Sequence, residues 1–149
     1  MARAVLILTL MAALAACAAQ PPVRHGAPAL VDSATMMLGQ PYRYGGFAPG
    51  GFDCSGLVYY AARRAGLEVP RTAAAQLASG TAVARAAVRA GDLVFMHLSH
   101  KELHVGIAVG GERFIHAPSS GGRVRIDSLS APPYDRGFFS ARRIAPDAD

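Results

Sequence analysis

Apolar residues follow a helical spacing in the first half of the chain. They recur at three- and four-residue intervals over residues 29–38 and again over residues 55–65, which predicts two amphipathic helices. Gly66 is a typical residue for ending the second helix. A third, short helix is predicted over residues 71–79, with Thr72 as its N-cap.

The second half has a different pattern, with short stretches of β-branched and aromatic residues separated by Gly, Pro or Ser. The connections between these stretches are too short for parallel crossovers, so we expect antiparallel pairing. Helices followed by strands indicate an α+β fold, in which N-terminal helices pack on a five- to six-stranded antiparallel sheet. The predicted strands are residues 92–95, 104–109, 113–117, 123–126 and 139–144.

Composition supports one ordered domain and excludes several function classes. The chain has 149 residues, of which 52% are hydrophobic and 17% are charged, and this balance is typical of a folded globular protein. The net charge of +5 comes from basic residues that are scattered along the chain. Because a nucleic-acid site normally needs a clustered basic face, we expect no nucleic-acid binding. An acidic substrate or an anionic surface fits the charge equally well.

The N-terminal end differs from the rest of the chain. Residues 1–16 (MARAVLILTLMAALAA) place one Arg before an apolar run shorter than the roughly 20 residues that cross a bilayer, which predicts an export signal. The run ends in LAAC at residues 14–17, which resembles the bacterial lipobox, where the signal is cut before a cysteine that becomes acylated. We therefore expect Cys17 to be the lipidated first residue, followed by a tether to residue 28 and a domain over residues 29–146.

This interpretation predicts an exported lipoprotein that is held at a membrane by its lipid anchor. In bacteria with two membranes, Ala18 after the cysteine resembles the pattern that sorts lipoproteins to the outer membrane, facing the periplasm. The short tether would keep the domain within reach of a membrane-proximal regulatory protein. The alternative is an ordinary signal peptide with an incidental cysteine.

Cysteine usage draws attention to Cys54. A disulfide between Cys17 and Cys54 is the simplest expectation for an exported protein, but lipidation of Cys17 would leave the Cys54 thiol free. Cys54 lies where a Gly- and Pro-rich loop meets the second predicted helix. Because a helix start has unpaired N–H groups and positive potential, we expect a lowered thiol pKa and a nucleophilic cysteine there.

Two histidines are placed to assist this thiol. His104 opens one predicted strand and His116 closes the next, so a hairpin at Gly110-Gly111 would bring them to the same end of the sheet. One imidazole would then deprotonate Cys54, while the second would hold the Nδ1 proton of the first. The alternative is that both histidines are merely hydrogen-bonded structural residues.

Six motifs, in order over about residues 29–144, resemble those of the NlpC/P60 family of cell-wall peptidases. They are GQPYRYGG at 39–46, FDCSGLV at 52–58, VPR at 69–71, GDLVF at 91–95, HVGI at 104–107 and FIHA at 114–117. The resemblance implies a papain-like α+β fold and a cysteine endopeptidase that hydrolyses peptidoglycan stem peptides. The family commonly cuts between γ-D-glutamate and a diamino acid, through a thioester and without a cofactor.

The resemblance also implies roles for individual residues. Cys54 would be the nucleophile, His104 the general base and later acid, and His116 the orienting residue, whose protonation would reduce activity in mild acid. Tyr42 matches a tyrosine that reaches into the site. Asp53 and Ser55 match positions that some members use to hold the amino end of the stem peptide.

Alternatives to this interpretation remain open. The chain could be a non-catalytic lipoprotein that binds stem peptides, or a related thiol amidase or transpeptidase. Zinc would find enough ligands in the histidines and Cys54, but the HExxH pattern of a metallohydrolase helix is absent from the sequence, so we expect no metal. We expect His97 and His100 to be solvated loop residues, and Arg71 to be structural. Arg43 and Arg125 would meet either stem carboxylates or local carbonyl groups.

Overall fold

The computed structural model describes residues 25–98, 102–120 and 122–146. Cys17 and His100 therefore lie outside the described residues. The helices are α1 (Gly26–Thr35), α2 (Cys54–Arg64), α3 (Ala73–Leu77) and α4 (Tyr134–Gly137), with a short 3₁₀ helix at Arg85–Ala87. The strands are β1 (Phe47–Ala48), β2 (Gly51–Phe52), β3 (Thr81–Val83), β4 (Leu93–His97), β5 (Leu103–Gly110), β6 (Arg113–His116), β7 (Arg125–Ser128) and β8 (Phe138–Arg143).

In the described residues, six strands form one antiparallel sheet in the order β3-β8-β4-β5-β6-β7. Strands β1 and β2 form a separate two-stranded hairpin within the loop before α2. The predicted α+β class and antiparallel sheet are confirmed. The predicted hairpin between β5 and β6 is also present, and Gly111 and Glu112 at its turn both have positive φ angles, which suit the tight turn of a two-residue hairpin.

The helices agree with the sequence pattern except at the two ends of α1, which stops at Thr35 and not at residue 38. This helix begins at Gly26, inside the segment predicted as a tether, and Pro28 fits its first turn because that turn needs no N–H from it. Helix α2 ends as predicted, with Gly66 at a φ of +72° just beyond its C-cap. The Thr72 side chain caps α3 by accepting a hydrogen bond from the backbone N–H of Ala75.

Several elements differ from the sequence-based expectation, among them β1 and β2, which lie in a Gly- and Pro-rich segment expected to be a loop. Strand β3 was not predicted, because its three residues are mostly exposed at the edge of the sheet and show no buried alternation. Helix α4 was not predicted either, since a single turn of four residues has no helical periodicity. Strand β7 runs over Arg125–Ser128, whereas the sequence predicted residues 123–126.

Two apolar clusters cover the two faces of the sheet. One cluster lies between the helices and the sheet and includes Leu30, Leu57 and Phe95. The other lies on the opposite face and includes Met96 and Phe114. Alternate residues of β4 therefore enter different clusters, which explains why this strand is almost continuously apolar. No helix in the described ranges has the length and apolar character needed to cross a membrane.

Candidate active site

Cys54 is the first residue of α2, and its neighbours fix the start of that helix. The Asp53 side chain caps the helix, with Oδ1 accepting a hydrogen bond of 2.6 Å from the backbone N–H of Gly56. A Cβ at Gly56 would overlap the carbonyl oxygen of Gly46, so the helix can approach the glycine-rich loop only with glycine here. The half-buried Cys54 side chain contacts the apolar cluster between the helices and the sheet, and its thiol is not part of a disulfide among the described residues.

The electrostatics of the thiol differ from the sequence-based expectation. Burial raises the pKa of Cys54, and the neighbouring Asp53 charge raises it further. Backbone N–H groups of Val105, Ser55 and Cys54 itself act in the opposite direction but do not outweigh burial. The expected lowering of the thiol pKa by the helix start is therefore wrong for the resting protein. The Val105 amide also places Cys54 beside β5, next to His104 in sequence.

His104 and His116 are brought together as predicted. His104 lies near the start of β5 and His116 at the end of β6, and their Nε2 and Nδ1 atoms are 2.7 Å apart. Both side chains are buried, with exposed fractions of 2% for His104 and 0% for His116. The two rings meet edge to face, with centroids 5.0 Å apart. A Cβ at Gly106 would come within 3.2 Å of the His116 Cβ, so this glycine makes room for the pair.

Behind the histidines, the structure places Arg125 together with two residues that were not expected from the sequence, Asp127 and Tyr134. Asp127 Oδ2 accepts hydrogen bonds of 2.8 Å from His116 Nε2, from Arg125 Nε and from the Tyr134 hydroxyl. Tyr134 also packs edge to face against His116. Asp127 lay one residue beyond the predicted end of its strand, so an accurate strand end would have put it on the same face as Arg125.

The direction of the hydrogen bonds follows from the carboxylate. Asp127 is an acceptor when ionised, so His116 Nε2 donates to it. A neutral His116 then has only Nδ1 as an acceptor, and His104 Nε2 must donate to that atom. His104 is left with a lone pair on Nδ1. The sequence analysis expected His116 to hold the Nδ1 proton of His104, and the structure corrects that atom to Nε2.

Burial keeps both histidines neutral. Burial, followed by the nearby His116, lowers the pKa of His104 to about 3. Burial also lowers the pKa of His116 to about 4, although the hydrogen bond and charge of Asp127 act against it. Burial opposes ionisation of Asp127, but its hydrogen bonds from Arg125, His116 and Tyr134 outweigh burial and hold its pKa at about 2. Protonation of His116 is therefore expected near pH 4 and not in mild acid.

The residues expected to contact substrate surround the thiol. Burial raises the pKa of Tyr42, and the charges of Cys54 and Asp53 add to this effect, which places the phenol near both groups. Arg71 binds both carboxylate oxygens of Asp53, at 3.0 and 2.7 Å, and the Ser55 hydroxyl at 3.0 Å. Asp53 and Ser55 therefore flank Cys54 as predicted, with their side chains already hydrogen-bonded within the protein.

Gln76 is a further residue that the sequence analysis missed. It is fully buried, and its side-chain amide donates hydrogen bonds to the backbone carbonyls of Ser55 at 3.0 Å and Pro70 at 2.8 Å. It thereby fastens the first turn of α2 to the segment that carries Arg71. The apolar periodicity around it gave no signal, because a buried glutamine is exceptional on a helix face.

Two further candidates, His97 and Arg125, have contacts other than those expected for substrate binding. His97 is exposed and stacks on Phe139, with ring centroids 4.5 Å apart. Arg125 binds Asp127, so its guanidinium is already paired with a carboxylate of the protein. Within residues 25–98, 102–120 and 122–146, no three His, Cys, Asp or Glu side chains are grouped to hold a metal ion.

Comparison with known proteins identifies the same region of the chain. The model of the NlpC/P60 family matches residues 39–143. The Escherichia coli (strain K12) protein named Murein DD-endopeptidase MepH is 37% identical over 128 residues, which cover 82% of this chain and 47% of that protein. The Bacillus subtilis (strain 168) protein named Gamma-D-glutamyl-L-lysine dipeptidyl-peptidase is 33% identical over 117 residues, covering 76% of this chain and 40% of that protein.

A solved structure shares the architecture. The crystal structure of an NlpC/P60 family protein from Bacillus cereus ATCC 10987 superposes with a TM-score of 0.76 and 32% identity, covering 83% of this chain and 41% of that chain. This similarity confirms the papain-like α+β fold implied by the sequence motifs. The chain spans less than half the length of each of these three proteins.

Proposed function

The chain belongs to the NlpC/P60 family, and from this premise we propose that it is a peptidoglycan hydrolase, a cysteine endopeptidase that cuts stem peptides through a Cys54 thioester. The observation that carries the proposal is the buried His104–His116 hydrogen bond beside a thiol at the start of a helix. The Cys54 thiol lies against the backbone N–H of Val105, the residue that follows His104 on β5. The names of the two relatives, an endopeptidase and a dipeptidyl-peptidase, support hydrolysis of wall peptides.

In the first half of the reaction, the thiol becomes acylated. His104 Nδ1 takes the Cys54 proton as sulfur attacks the carbonyl carbon of the scissile amide. The backbone N–H of Cys54, at the helix start, is the natural donor to the oxyanion that forms. The protonated His104 then gives its proton to the leaving nitrogen, the C–N bond breaks, and an amine departs from the thioester.

In the second half, water replaces the amine. His104 takes a proton from the attacking water, the C–S bond breaks, and the proton returns to sulfur as the carboxylate product leaves. His116 keeps His104 in the tautomer that has its lone pair on Nδ1 throughout both halves. The raised pKa of Cys54 and the lowered pKa of His104 mean that this proton moves during the reaction and is not transferred beforehand.

We propose the bond between γ-D-glutamate and the diamino acid as the one that is cut. The relative from Bacillus subtilis is named for a γ-D-glutamyl bond, whereas the relative from Escherichia coli is named a DD-endopeptidase. Tyr42, Asp53 and Ser55 lie around Cys54 and are the proposed contacts for the amino end of the stem. Arg71 already neutralises Asp53, so the Ser55 hydroxyl and the Tyr42 phenol would carry much of that recognition.

The proposed location follows from the N-terminal sequence. A lipid at Cys17 would hold the enzyme at a membrane that faces the wall, as an outer-membrane lipoprotein in the periplasm. Its stem-peptide substrate lies in the same compartment, and a membrane-proximal regulatory protein could reach the domain there.

Mass spectrometry of a wall-fragment digest tests the activity. The wild-type protein should create a new amine and a new carboxylate at the γ-glutamyl bond, and Cys54→Ser should leave the fragments intact while retaining its fold. A lost sugar–peptide link would instead identify an amidase, an exchanged acceptor a transpeptidase, and unchanged fragments a binding protein. Cleavage between two D-centres would move the proposal to a DD-endopeptidase.

Inhibition separates the thiol mechanism from a metal mechanism. Iodoacetamide should abolish hydrolysis because it alkylates the nucleophile, whereas prolonged chelation should leave the rate unchanged. Activity that is lost on chelation and restored by zinc would contradict the cysteine mechanism.

A further inference from the structure

The geometry points to Asp127 as a positioning residue that sets the direction of proton transfer through His116 and His104, with Arg125 and Tyr134 holding its carboxylate. This inference rests on the proposed function, since it assigns a role within the same site. It adds a charged group to the nucleophile and two histidines that the sequence motifs contain.

One carboxylate oxygen of Asp127 has three hydrogen-bond donors around it. Asp127 Oδ2 accepts from His116 Nε2, Arg125 Nε and the Tyr134 hydroxyl, each at 2.8 Å. Three donors converging on one oxygen require an acceptor with negative charge, which a carboxylate provides and a carboxylic acid does not. The Asp127 side chain is only 25% exposed, so water contributes little to this arrangement.

The hydrogen bond between His104 and His116 can run in two directions. Two neutral imidazoles can share one proton either way, and only one direction leaves the lone pair of His104 on Nδ1. A carboxylate at His116 Nε2 makes that atom the donor and so removes the other direction. Among the described residues, the hydrogen bond from His116 Nε2 to Asp127 is the contact that selects the productive direction.

Packing of the neighbouring rings gives the Asp127 carboxylate a fixed position. Tyr134 lies edge to face against both His116 and Phe114, and Phe114 also contacts the His116 ring. Arg125 donates to the Tyr134 hydroxyl at 3.3 Å as well as to Asp127. The imidazole, the phenol and the carboxylate therefore hold one another in place.

Charge gives the arrangement a measurable consequence. Deprotonation of Cys54 by His104 creates a positive histidine pair, which Asp127 stabilises and Arg125 opposes. The charged and titratable groups that face this system are Asp53 and Cys54 from the start of α2, Tyr42 from the loop before β1, Arg125 and Asp127 from β7, and Tyr134 from α4.

The test reads the tautomer of His104 in the full-length protein, by NMR of its imidazole nitrogens at about pH 7. In the wild type the proton of His104 should be on Nε2. Asp127→Asn should populate the tautomer with the proton on Nδ1, because the Asn side chain can donate to His116 as well as accept from it. Arg125→Gln keeps the carboxylate of Asp127, so it should keep the wild-type tautomer.

Hydrolysis of the stem peptide gives a second readout. Asp127→Asn should reduce kcat/KM by roughly 10- to 100-fold, as loss of a residue that orients another active group commonly does. The matched control is Asp92→Asn, which removes a buried carboxylate from an Arg143 ion pair on the same sheet. Asp92→Asn should lower the melting temperature and leave the His104 tautomer unchanged.

A changed His104 tautomer in Asp127→Asn, with the wild-type tautomer in Arg125→Gln and in the control, would support the role of Asp127. The inference is overturned if Asp127→Asn keeps the wild-type tautomer and kcat/KM, or if Asp92→Asn changes the tautomer equally. If Asp127→Asn does not fold, the wild-type tautomer decides, since a proton on His104 Nδ1 would overturn the inference. Wild-type protein with the expected tautomer that cleaves no wall fragment would contradict the proposed function alone.

Discussion

The thiol and the histidines of the site are all uncharged in the resting protein, and this follows from burial. Burial raises the pKa of Cys54 and lowers the pKa of His104 and His116, so a preformed thiolate–imidazolium pair is disfavoured. The charges must then appear together when substrate is bound. Such a thiol should react more slowly with solution electrophiles than a preformed thiolate would.

At His116, the structure predicts a graded response to substitution. His116→Asn should keep appreciable activity, because an amide oxygen can accept the proton of His104 Nε2, as the asparagine of papain-like triads does. His116→Ala should lose more, since it leaves that buried N–H without a partner. His104→Asn should be nearly inactive, because an amide cannot carry a proton. The measurement is kcat/KM of the three variants on one stem peptide.

Circular dichroism of each variant controls for loss of fold. The assignment of the two roles fails if His116→Asn is as inactive as His104→Asn, or if His104→Asn stays active.

The same histidines make stability depend on pH. In the unfolded chain they bind protons below about pH 6.5, whereas in the folded protein they do so only near pH 4 and pH 3. The unfolded state therefore binds more protons in this window, so the free energy of unfolding should fall as the pH is lowered from about 6.5 to about 4. Thermal melts over this range measure the effect.

A double variant, His104→Asn with His116→Asn, should show a smaller loss of melting temperature over the same window. His97→Asn is the matched control, because His97 is exposed and its removal should leave the wild-type slope. A double variant with the full wild-type slope would contradict the role of the buried pair.

At the scale of residues, the sequence motifs predicted which residues meet at the site but not all of the hydrogen bonds that join them. Cys54, His104 and His116 stand in short sequence patterns, and the structure places them around the start of α2 and the ends of β5 and β6. Asp127 has no local motif, since its contact with His116 depends on the register of β7 against β6. Register is a property of paired strands and cannot be obtained from either strand alone.

At the scale of elements, glycines allow two close approaches at the site. Gly56 lets the first turn of α2 lie against the carbonyl of Gly46, and Gly106 lets β5 pass beside the His116 side chain. The Arg71 and Gln76 hydrogen bonds then tie α2 to the segment before α3. The nucleophile is thus held by helix capping and close backbone packing rather than by its own side-chain contacts.

Gly106→Ala should disturb the histidine pair through packing alone. Its Cβ would lie 2.6 Å from Phe114 Cδ2, 3.0 Å from the Ile115 oxygen and 3.2 Å from the His116 Cβ. Overpacking of this kind costs about 1–3 kcal/mol of stability, and displacement of His116 should lower kcat/KM as well. Urea unfolding and peptide hydrolysis measure the two effects.

Gly80→Ala provides the control, because its Cβ would overlap the carbonyl oxygen of Arg143 at a residue with positive φ, away from the histidines. It should lower stability and leave kcat/KM of the folded protein unchanged. Normal activity in a destabilised Gly106→Ala protein would show that His116 tolerates the added methyl group.

Element types were predictable where periodicity is long and caps are present. Helices α2 and α3 have Asp53 and Thr72 as side-chain caps, and the sequence places both ahead of apolar residues. The short β3 and α4 lack such signals, because their formation depends on pairing with β8 and on packing of Tyr134 against Phe114. Tertiary contacts that join distant segments decide these elements, and local sequence does not report them.

At the scale of the whole molecule, the apolar clusters on both faces of the sheet explain how a small domain keeps two histidines buried. The strands that carry them have apolar neighbours from both clusters, with Val105 and Ile115 on one face and Phe114 on the other. Composition predicted one ordered domain, and the short β-rich stretches with short connections predicted the sheet. The second cluster was less predictable, because α4 and Leu129 complete it from the C-terminal third of the chain.

The N-terminal segment is expected to decide where this domain works. Cys17 lies outside the described residues, so its role depends on the LAAC pattern at residues 14–17. A single acyl chain gives only marginal membrane binding, whereas the two or three chains of a lipoprotein cysteine anchor stably, since each buried CH₂ contributes about 0.8 kcal/mol. Acylation is therefore expected to determine the fractionation of the whole protein.

Cys17→Ala should move the protein from the membrane pellet to the soluble fraction of cells that express it. Labelled palmitate should be incorporated into the wild-type protein and not into this variant, because the thiol that accepts the lipid is gone. Cys54→Ala is the matched control, since it removes the other cysteine of the chain and should keep both the pellet fraction and the label. If Cys17→Ala still sediments with membranes, or if Cys54→Ala loses the label, the lipid anchor is not at Cys17.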